Sequence, residues 1–260
     1  MTAPEVTTKT AEPRRTAYVQ SLQRGVAVLD VLAASSRPQN AREVAVAAGL
    51  DRTITYRILR TLEKEGLVEA APGGFQLGGK VLLLGNAYLD NLNVRRVALP
   101  YTLGLLHGEL KGLKISMSLF VAVGAIVTII DQLRSPEAPL DIIRGVGTRL
   151  PIDRTAAGRC LLAYMSPDEV VRLVGAERAA ELAPRFVEIL AADGVDFATS
   201  AEPHGRPGIS ALSAVIRDRA GAAVACLSVS GIEIEQYANR QSHIASLLRR
   251  NADQIGLSLR

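Results

Sequence analysis

Hydrophobic positions near the start of the chain recur at the spacing of amphipathic helices. The first group, separated by three or four positions, consists of Leu22, Val26, Leu29 and Leu32. Because this spacing places the group on one face, it predicts a helix with Ser21 as its N-cap. Asn40 is expected to cap a second helix over about residues 41–48, and Asp51 a third helix that ends near Lys64.

The links between these helices carry turn signals. Gly49 supplies the positive φ that a tight turn before the third helix needs, and Gly66 is expected to end that helix. Strict i+4 spacing predicts that the inner face of the third helix consists of Ile54, Ile58 and Leu62. The segment LVEAAPGGFQLG then places short apolar stretches around Pro72-Gly73-Gly74, which predicts a β-hairpin.

The pattern after the hairpin predicts a connecting helix over residues 79–92 and another helix over residues 94–110. Strands are predicted at residues 115–123, 126–133, 140–143, 209–217 and 222–230, the last two joined by a turn at Arg219-Ala220-Gly221. Further helices are predicted at residues 155–163, 167–174, 179–192 and 234–256. Strands mixed with non-alternating helices favour an α+β domain with an antiparallel sheet.

Membrane and secretion signals are not expected from this pattern. The longest uncharged apolar stretch, residues 115–130, contains 16 residues, whereas a membrane-spanning helix needs about 20. Gly124 near its middle favours two strands around a turn at Gly124-Ala125. The first 20 residues have no apolar core, so we interpret them as a flexible arm rather than a secretory signal. We therefore expect a cytoplasmic protein without membrane association.

Composition and charge narrow the class of protein without identifying it. Of the 260 residues, 48% are hydrophobic, a share too high for a disordered chain. The 30 basic and 26 acidic residues give a net charge of +4, which is spread over the whole chain. A local excess lies in the predicted third helix, where four basic residues accompany one acidic residue. Aromatic residues amount to 4% and Trp is absent, so stacking platforms for RNA or single strands are disfavoured relative to duplex DNA.

Three helices followed by a glycine-turned hairpin have the element order of a winged helix-turn-helix. Ala45 is small enough to let the second and third helices approach, and Leu50 fills the corner after the turn. The outward face of the third helix is predicted to consist of Arg52, Thr53, Tyr56, Arg57 and Arg60. Arg can pair with guanine in the major groove, and Thr or Tyr can reach phosphate or the thymine methyl group. We interpret this face as DNA-binding; an ordinary solvated basic face is the alternative.

Five sequence blocks resemble the IclR family of transcriptional regulators. They are SLQRGVAVLDVLAAS, REVAVAAGLDRTITYRILRTLEKEGLVE, FQLGGKVLLLG, GTRLPIDRTAAGRCLLA and VIRDRAGAAVACLSVSG, in the family's order. The resemblance covers about residues 21–258 and implies an N-terminal winged helix, a linker helix and a C-terminal effector-binding domain of GAF-like fold. It also implies binding to double-stranded operator DNA as homodimers or dimers of dimers, with either repression or activation.

A ligand pocket is expected in the C-terminal domain. Thr155 can cap a helix whose first amides, at Ala156 and Ala157, suit a carboxylate, and the family uses this segment in the same way. The other residues that the resemblance assigns to the pocket are Ile142, Leu150, Ala211, Ser228 and Ser230. We expect the effector to be a small organic or aromatic acid. The alternatives are structural capping for Thr155 and simple strand filling for the two serines.

Two positions depart from the family pattern. The family usually has a small polar residue followed by Val or Ile where this chain has Ile54-Thr55. Some members that bind small oxo-acids have an acidic residue just before the Glu of the loop that enters the last hairpin. This chain instead has Thr199-Ser200-Ala201 before Glu202, which disfavours a glyoxylate- or pyruvate-like effector.

Catalytic and metal-binding motifs are not apparent in the sequence. It has no GxSxG, GxGxxG or GxxxxGK[ST] motif, and its three His share no metal-ligand spacing. His204 does lie in a Pro-Gly loop with Glu202. The two Cys form no CxxC pair, and Cys160 shares a helix face with Ala157, which indicates a buried small apolar residue. We therefore predict a protein that is not an enzyme and needs no cofactor or metal.

These observations predict an α+β protein in four parts. They are a flexible arm (1–20), a winged helix-turn-helix domain (21–78), a linker helix (79–93) and an effector-binding domain (94–260). The predicted function is transcriptional regulation, in which a small-molecule effector modulates operator binding. Two other hypotheses remain open: a winged-helix module that binds another protein, and an enzyme that carries a regulatory winged helix.

Overall fold

The computed structural model describes residues 19–138, 144–199 and 208–259. The chain divides into two compact units between Tyr88 and Leu89. Most of the predicted N-terminal arm, the strand predicted at residues 140–143 and the candidate pocket residue Ile142 lie outside the described residues.

The first unit has the element order predicted for a winged helix-turn-helix. Its elements are α1 (Gln20–Ala34), α2 (Ala41–Ala48), α3 (Arg52–Lys64), β1 (Val68–Ala71), β2 (Gly74–Leu77) and α4 (Lys80–Asn91), which crosses the division. β1 and β2 pair as an antiparallel hairpin. Gln39, in the link between α1 and α2, forms two backbone hydrogen bonds of 2.9 and 2.8 Å with Phe75 of β2. This bridge fastens the hairpin to the helices.

Local capping chemistry sets where α2 and α3 begin. Asn40 and Glu43 form a capping box, in which each side chain accepts a hydrogen bond from the backbone amide of the other residue. The carboxylate of Asp51 accepts hydrogen bonds from two amides in the first turn of α3. Gly49 adopts a φ of 63°, the left-handed conformation that the turn between the helices requires. The predicted caps and turn are therefore confirmed.

Two details of α1 and α3 differ from the expectation. Ser21 is not an N-cap, because α1 already begins at Gln20 after Val19, which makes no side-chain capping bond. In α3 the residues turned fully inward are Thr55 and Leu59, whereas Ile54 is partly exposed. The Thr55 hydroxyl donates to a backbone carbonyl one turn earlier at 2.9 Å, so its polar group is satisfied.

The core of the first unit is small. Its buried apolar residues are Val28, Leu32, Val44, Leu59 and Val68. They come from α1, α2, α3 and β1, and Ile58 and Leu62 pack against them. The inward stripe of α3 therefore runs through Thr55, Ile58, Leu59 and Leu62. These residues are separated by three or four positions, as expected for a helix with 3.6 residues per turn. The prediction from strict i+4 spacing is therefore right for Ile58 and Leu62 and wrong for Ile54.

The second unit is an α+β domain with an antiparallel sheet. Its α-helices are α5 (Asn93–His107), α6 (Ala156–Leu162), α7 (Pro167–Val174), α8 (Ala176–Ala191) and α9 (His243–Ser258). Its strands are β3 (Ile115–Val123), β4 (Ile126–Arg134), β5 (Arg149–Pro151), β6 (Val195–Ala198), β7 (Ser210–Arg217) and β8 (Ala223–Gly231). Within the described residues these six strands form one sheet in the order β5-β4-β3-β8-β7-β6, and neighbouring strands are antiparallel.

The sheet of the second unit is covered on both faces. One apolar core lies beneath α5 and α9 and includes Met117, Leu212 and Leu227. The other lies beneath α6 and α8 and includes Phe120 and Cys226. Because successive strand residues point to opposite faces, a strand buried on both sides has apolar residues in sequence rather than in alternation.

The structure differs from the predicted elements of this unit in a few places. The helix predicted over residues 234–256 is wrong at its start, since Ile234 lies in a short 3-10 helix and α9 begins at His243 after the N-cap Ser242. The short edge strands β5 and β6 are absent from the prediction, and α8 begins three residues before the predicted start. The turn at Gly124 between β3 and β4 is confirmed.

Candidate functional site

The outward face of α3 carries the residues predicted to bind DNA. All five are exposed: Arg52, Thr53, Tyr56, Arg57 and Arg60. Arg60 forms an ion pair with Glu63 on the same helix. The face thus presents cationic and hydrogen-bonding groups on one side of a helix whose other side is fixed in the core.

The corner between α2 and α3 holds this face in place. The Asp51 carboxylate accepts hydrogen bonds from the amides of Thr53 at 2.8 Å and Ile54 at 3.1 Å. These bonds, with that from Ile54 as the largest cause, lower the pKa of Asp51. The Leu50 amide donates to the carbonyl of Ala45 at 2.9 Å and so ties α2 to the turn. A fixed corner of this kind is what readout by a recognition helix requires.

The wing, formed by β1, β2 and their turn, differs electrostatically from α3. Between Val68 and Leu77 its only charged side chain is Glu69. The wing is also packed tightly, because a Cβ at Gly74 would collide with the backbone carbonyl of Gln39. Positive charge in the described part of the first unit therefore lies on the helices and their links rather than on the wing.

The second unit contains a cavity of about 350 Å³ on the face of the sheet that α6 covers. Its volume falls within the range of small-molecule sites. Six residues predicted to contact ligand line it: Leu150, Ala156, Ala157, Ala211, Ser228 and Ser230. The seventh, Ile142, lies outside the described residues. The fold thus brings six positions that are distant in sequence around one cavity.

Polar residues on four adjacent strands form a row across the floor of this cavity. In register they are Gln132 on β4, Ser118 on β3, Ser228 on β8 and Ser213 on β7. The carboxamide nitrogen of Gln132 donates to Ser118 Oγ at 3.2 Å, and the hydroxyls of Ser213 and Ser228 are hydrogen-bonded to each other. Of this polar row, sequence reasoning identifies Ser228 alone, since the other three positions need the strand register.

Two arginines give the cavity wall its charge. Arg144 and Arg154 line the cavity, and no Asp or Glu of the described residues does so. Arg154 Nε lies 3.7 Å from the carboxylate of Asp153, which also accepts a hydrogen bond from Arg178 at 2.9 Å. Neither lining arginine is a sequence-predicted site residue, although Arg154 directly precedes the Thr155 segment. A wall of this composition favours an anionic ligand.

The N-terminal turn of α6 reaches the cavity because small residues let it approach the chain before it. The hydroxyl oxygen of Thr155 accepts a hydrogen bond from the amide of Gly158 at 3.0 Å, which confirms the predicted cap. A Cβ at Gly158 would collide with the backbone carbonyl of Ile152. Glycine at this position therefore allows Ala156 and Ala157 to lie at the cavity wall.

One buried carboxylate at the edge of the same sheet gathers three arginines. Asp196 on β6 is fully buried, and its oxygens lie 2.6 Å from Arg159, 2.8 Å from Arg185 and 3.1 Å from Arg240. Arg185 and Arg240 also lie over the ring of Phe197, at 4.5 and 5.2 Å from its centroid. This Asp196 cluster joins α6, α8 and the segment before α9 to a four-residue strand.

Features of enzymes and metalloproteins do not come together in the described part of the chain. Cys160 and Cys226 are both free and buried, and burial raises the pKa of the Cys160 thiol, which disfavours a reactive thiolate. The described residues contain no group of three or more potential metal ligands among His, Cys, Asp and Glu. His204 and Glu202 lie outside those residues. Among the helices that the structure describes, none is long and apolar enough to cross a membrane.

A winged helix-turn-helix combined with a second domain that holds a ligand-sized cavity defines a class of two-domain transcriptional regulators. Family models identify both parts of the chain. The IclR helix-turn-helix domain matches residues 21–72, and the bacterial transcriptional regulator IclR C-terminal domain matches residues 86–257. The chain therefore belongs to the IclR family of transcriptional regulators. Since this family is regulatory, the prediction of a protein that is not an enzyme is confirmed.

Individual relatives extend over most of the chain. The glycerol operon regulatory protein of Streptomyces griseus is 30% identical over 221 residues, which cover 82% of this chain and 85% of the relative. The HTH-type transcriptional repressor AllR of Salmonella paratyphi A is 26% identical over 261 residues, which cover 96% and 93%. The crystal structure of an IclR family regulator from Brucella abortus has a TM-score of 0.76 with 20% identity, and the match covers 99% of this chain and all of that one. The α+β fold is thereby shown.

Proposed function

We propose that the chain binds double-stranded operator DNA and that a small organic or aromatic acid, bound in the cavity, changes its operator affinity. The observation that carries the ligand part is the lining by Arg144 and Arg154 without an acidic residue among the described ones. Guanidinium groups bind carboxylates through charge-assisted hydrogen bonds. Apolar lining residues such as Phe120 and Leu150 suit the hydrocarbon or aromatic body of such an acid.

The DNA part of the proposal rests on the exposed face of α3. We assign DNA contacts to Arg52, Thr53, Tyr56, Arg57 and Arg60. Arg57 lies in the middle of this face, where a recognition helix meets base edges, and a bidentate pair with guanine suits its guanidinium. The uncharged wing tip and Glu69 provide no cation for phosphates, so the arginines of the helices carry most of the electrostatic attraction in this proposal.

The proposed functional unit is a homodimer, alone or paired as a dimer of dimers. α4 has no buried residue although it is apolar, and more than half of each of these side chains is exposed: Leu82, Leu83, Leu84 and Tyr88. A second copy would cover this surface. We propose that α4 is the core of a linker helix (79–93) between the DNA-binding (21–78) and effector-binding (94–260) domains. Effector binding would then alter the spacing of two α3 helices, in the cytoplasm where operator DNA is found.

The proposed DNA contact of α3 is tested by removing one arginine from α3 and, as a control, one arginine from the second unit. Arg57→Ala should weaken binding to promoter DNA about tenfold or more, and should reduce the slope of log affinity against log salt by about one. Arg172→Ala, an exposed arginine on α7, is the control and should leave affinity unaltered. Fluorescence anisotropy across a salt series measures both quantities. Unchanged affinity in Arg57→Ala would contradict the assignment of DNA contacts to α3. If the affinity of the unaltered chain for promoter DNA does not depend on salt, a protein partner is favoured instead.

The ligand part is tested on the full chain by thermal shift with a panel of aliphatic and aromatic carboxylic acids. A ligand of the native state raises the melting temperature in proportion to the logarithm of its concentration above Kd. An active acid should also change operator affinity, and Arg154→Ala should weaken both responses. An acid that stabilises the protein without altering DNA binding would separate the cavity from regulation.

A further inference from the structure

The polar row on the cavity floor contains hydroxyl hydrogens that lack an acceptor. Ser118 Oγ accepts from Gln132, and its own hydrogen meets no acceptor in the part of the chain that the structure describes. Ser213 and Ser228 are bonded to each other, so one hydroxyl donates and the other retains a hydrogen for another acceptor. Ser118 and Ser228 are each 5% exposed and Ser213 is 0% exposed. Buried donors of this kind are costly to leave unpaired.

One ligand oxygen can accept both hydrogens. Ser118 and Ser228 face each other directly across β3 and β8, and the Cβ atoms of such a pair are about 5 Å apart. When Ser213 donates to Ser228, the hydroxyls of Ser118 and Ser228 can both donate to an oxygen above them. The carboxamide oxygen of Gln132 is an acceptor at the same end of the row. A hydroxyl group matches this set, because it accepts and donates at once.

The cationic groups and the polar row belong to different parts of the cavity lining. Arg144 and Arg154 lie in the segments on either side of β5, whereas the polar row lies on β4, β3, β8 and β7. The side chain of Arg154 is 46% exposed, whereas the serines of the polar row are buried. A ligand that satisfies both parts needs two polar groups.

We propose that the cavity selects a carboxylic acid that also carries a hydroxyl group. Arg144 and Arg154 bind the carboxylate, and the polar row binds the hydroxyl. This inference rests on the proposed acid effector and makes Ser118, Ser228 and Gln132 specificity-determining residues. An acid without the hydroxyl leaves the serine hydrogens unpaired in a closed site, and sites built around such donors discriminate strongly against analogues that lack the partner.

The test uses matched pairs of acids and isothermal titration calorimetry on the full chain. One series runs from 4-hydroxybutanoate to 8-hydroxyoctanoate, and each acid is compared with the same acid lacking the hydroxyl. The series varies the distance between the carboxylate and the hydroxyl group. An aromatic pair is 3-(4-hydroxyphenyl)propanoate and 3-phenylpropanoate. The best hydroxy acid should bind at least about tenfold more tightly than its partner.

Serine variants locate the source of this preference. Ser118→Ala should remove most of the tenfold difference, and Ser228→Ala, which deletes the opposing hydroxyl, is the second variant. Ser116→Ala is the matched control, because Ser116 is a buried serine on the same strand and face that does not line the cavity. It should retain the preference.

Three results would overturn the inference, and they differ in whether they also contradict the proposed acid effector. If hydroxylated and plain acids bind equally, the selection is wrong while the acid effector stands. If Ser116→Ala loses the preference as fully as Ser118→Ala and Ser228→Ala, the polar row is not its source. If none of the acids binds, both the proposed effector class and this inference fail.

Discussion

The arginines of α3 in the first unit and those around Asp196 in the second unit have opposite environments. On α3 of the first unit, Arg52 and Arg57 are exposed on a helix whose apolar side is anchored in a small core. In the second unit, Arg159 of α6 is buried against the carboxylate of Asp196. The same guanidinium group is therefore available to a partner on α3 and fixes the fold at Asp196. What decides between these roles is the position of a carboxylate, which only the tertiary structure supplies.

The Asp196 cluster should give the largest effect in this comparison. Asp196→Asn removes the charge that three arginines share, and breaking a buried pair from one side costs about 3–5 kcal/mol of unfolding free energy. Asp193→Asn is the matched control, because Asp193 lies three residues away, is 46% exposed and pairs with Arg217 at the surface. Such exposed pairs contribute about 0–1 kcal/mol. Urea denaturation of both variants measures the change in unfolding free energy. Equal losses in the two variants would show that the buried carboxylate is no more important to stability than the exposed one.

A pair of glycines tests packing in the same two units. Gly158→Ala in α6 should destabilise the second unit by about 1–3 kcal/mol, because the added Cβ collides with a backbone carbonyl that cannot move freely. Gly25→Ala in α1 meets nothing within 4 Å, and it should stabilise the helix by about 0.5–1 kcal/mol. Differential scanning calorimetry of the two variants gives the sign directly. A stable Gly158→Ala protein would show that α6 need not approach so closely.

The smallest expected effect is the acid sensitivity of the α3 cap. Hydrogen bonds from the amides of Ile54 and Thr53 lower the pKa of Asp51 in the folded state. A lowered folded-state pKa means that the cap stabilises α3 above the unfolded pKa of about 4 and that this contribution is lost as pH falls through the folded value. The protection factors of the Thr53 and Ile54 amides, that is, their exchange rates relative to the unfolded chain at the same pH, should therefore fall below about pH 4.

Asp51→Asn is the control for this cap, since Asn also accepts the amide bonds but does not titrate in this range. The variant should lose the acid-dependent step at Thr53 and Ile54. If the step persists at the same pH, another group is responsible. The partly exposed Glu43, whose pKa is lowered mainly by Arg37 and then by the Asn40 amide, is a second candidate in the first unit.

Local signals explain what could be predicted from the sequence. Asn40, Asp51 and Gly49 act on their own neighbours, so the starts of α2 and α3 follow from the residues alone. The serines at 118 and 213 carry no such signal, because their role depends on which strands pair and in what register. The last helix shows a local error: the apolar Ile234 extends the helical pattern, but Ser242 provides the actual cap.

The position of Asp196 also removes an ambiguity in how the sheet is assembled. β6 has four residues and lies at an edge, so few ladder hydrogen bonds hold it in register with β7. Such a shift would turn Asp196 into the apolar core beneath α5 and α9 and turn Val195 and Phe197 out of it. The buried carboxylate thus fixes the register of β6 as the sheet assembles. Ala198 lies two residues later on the same face and lines the cavity. The register that Asp196 fixes therefore also sets which residue of β6 borders the ligand site.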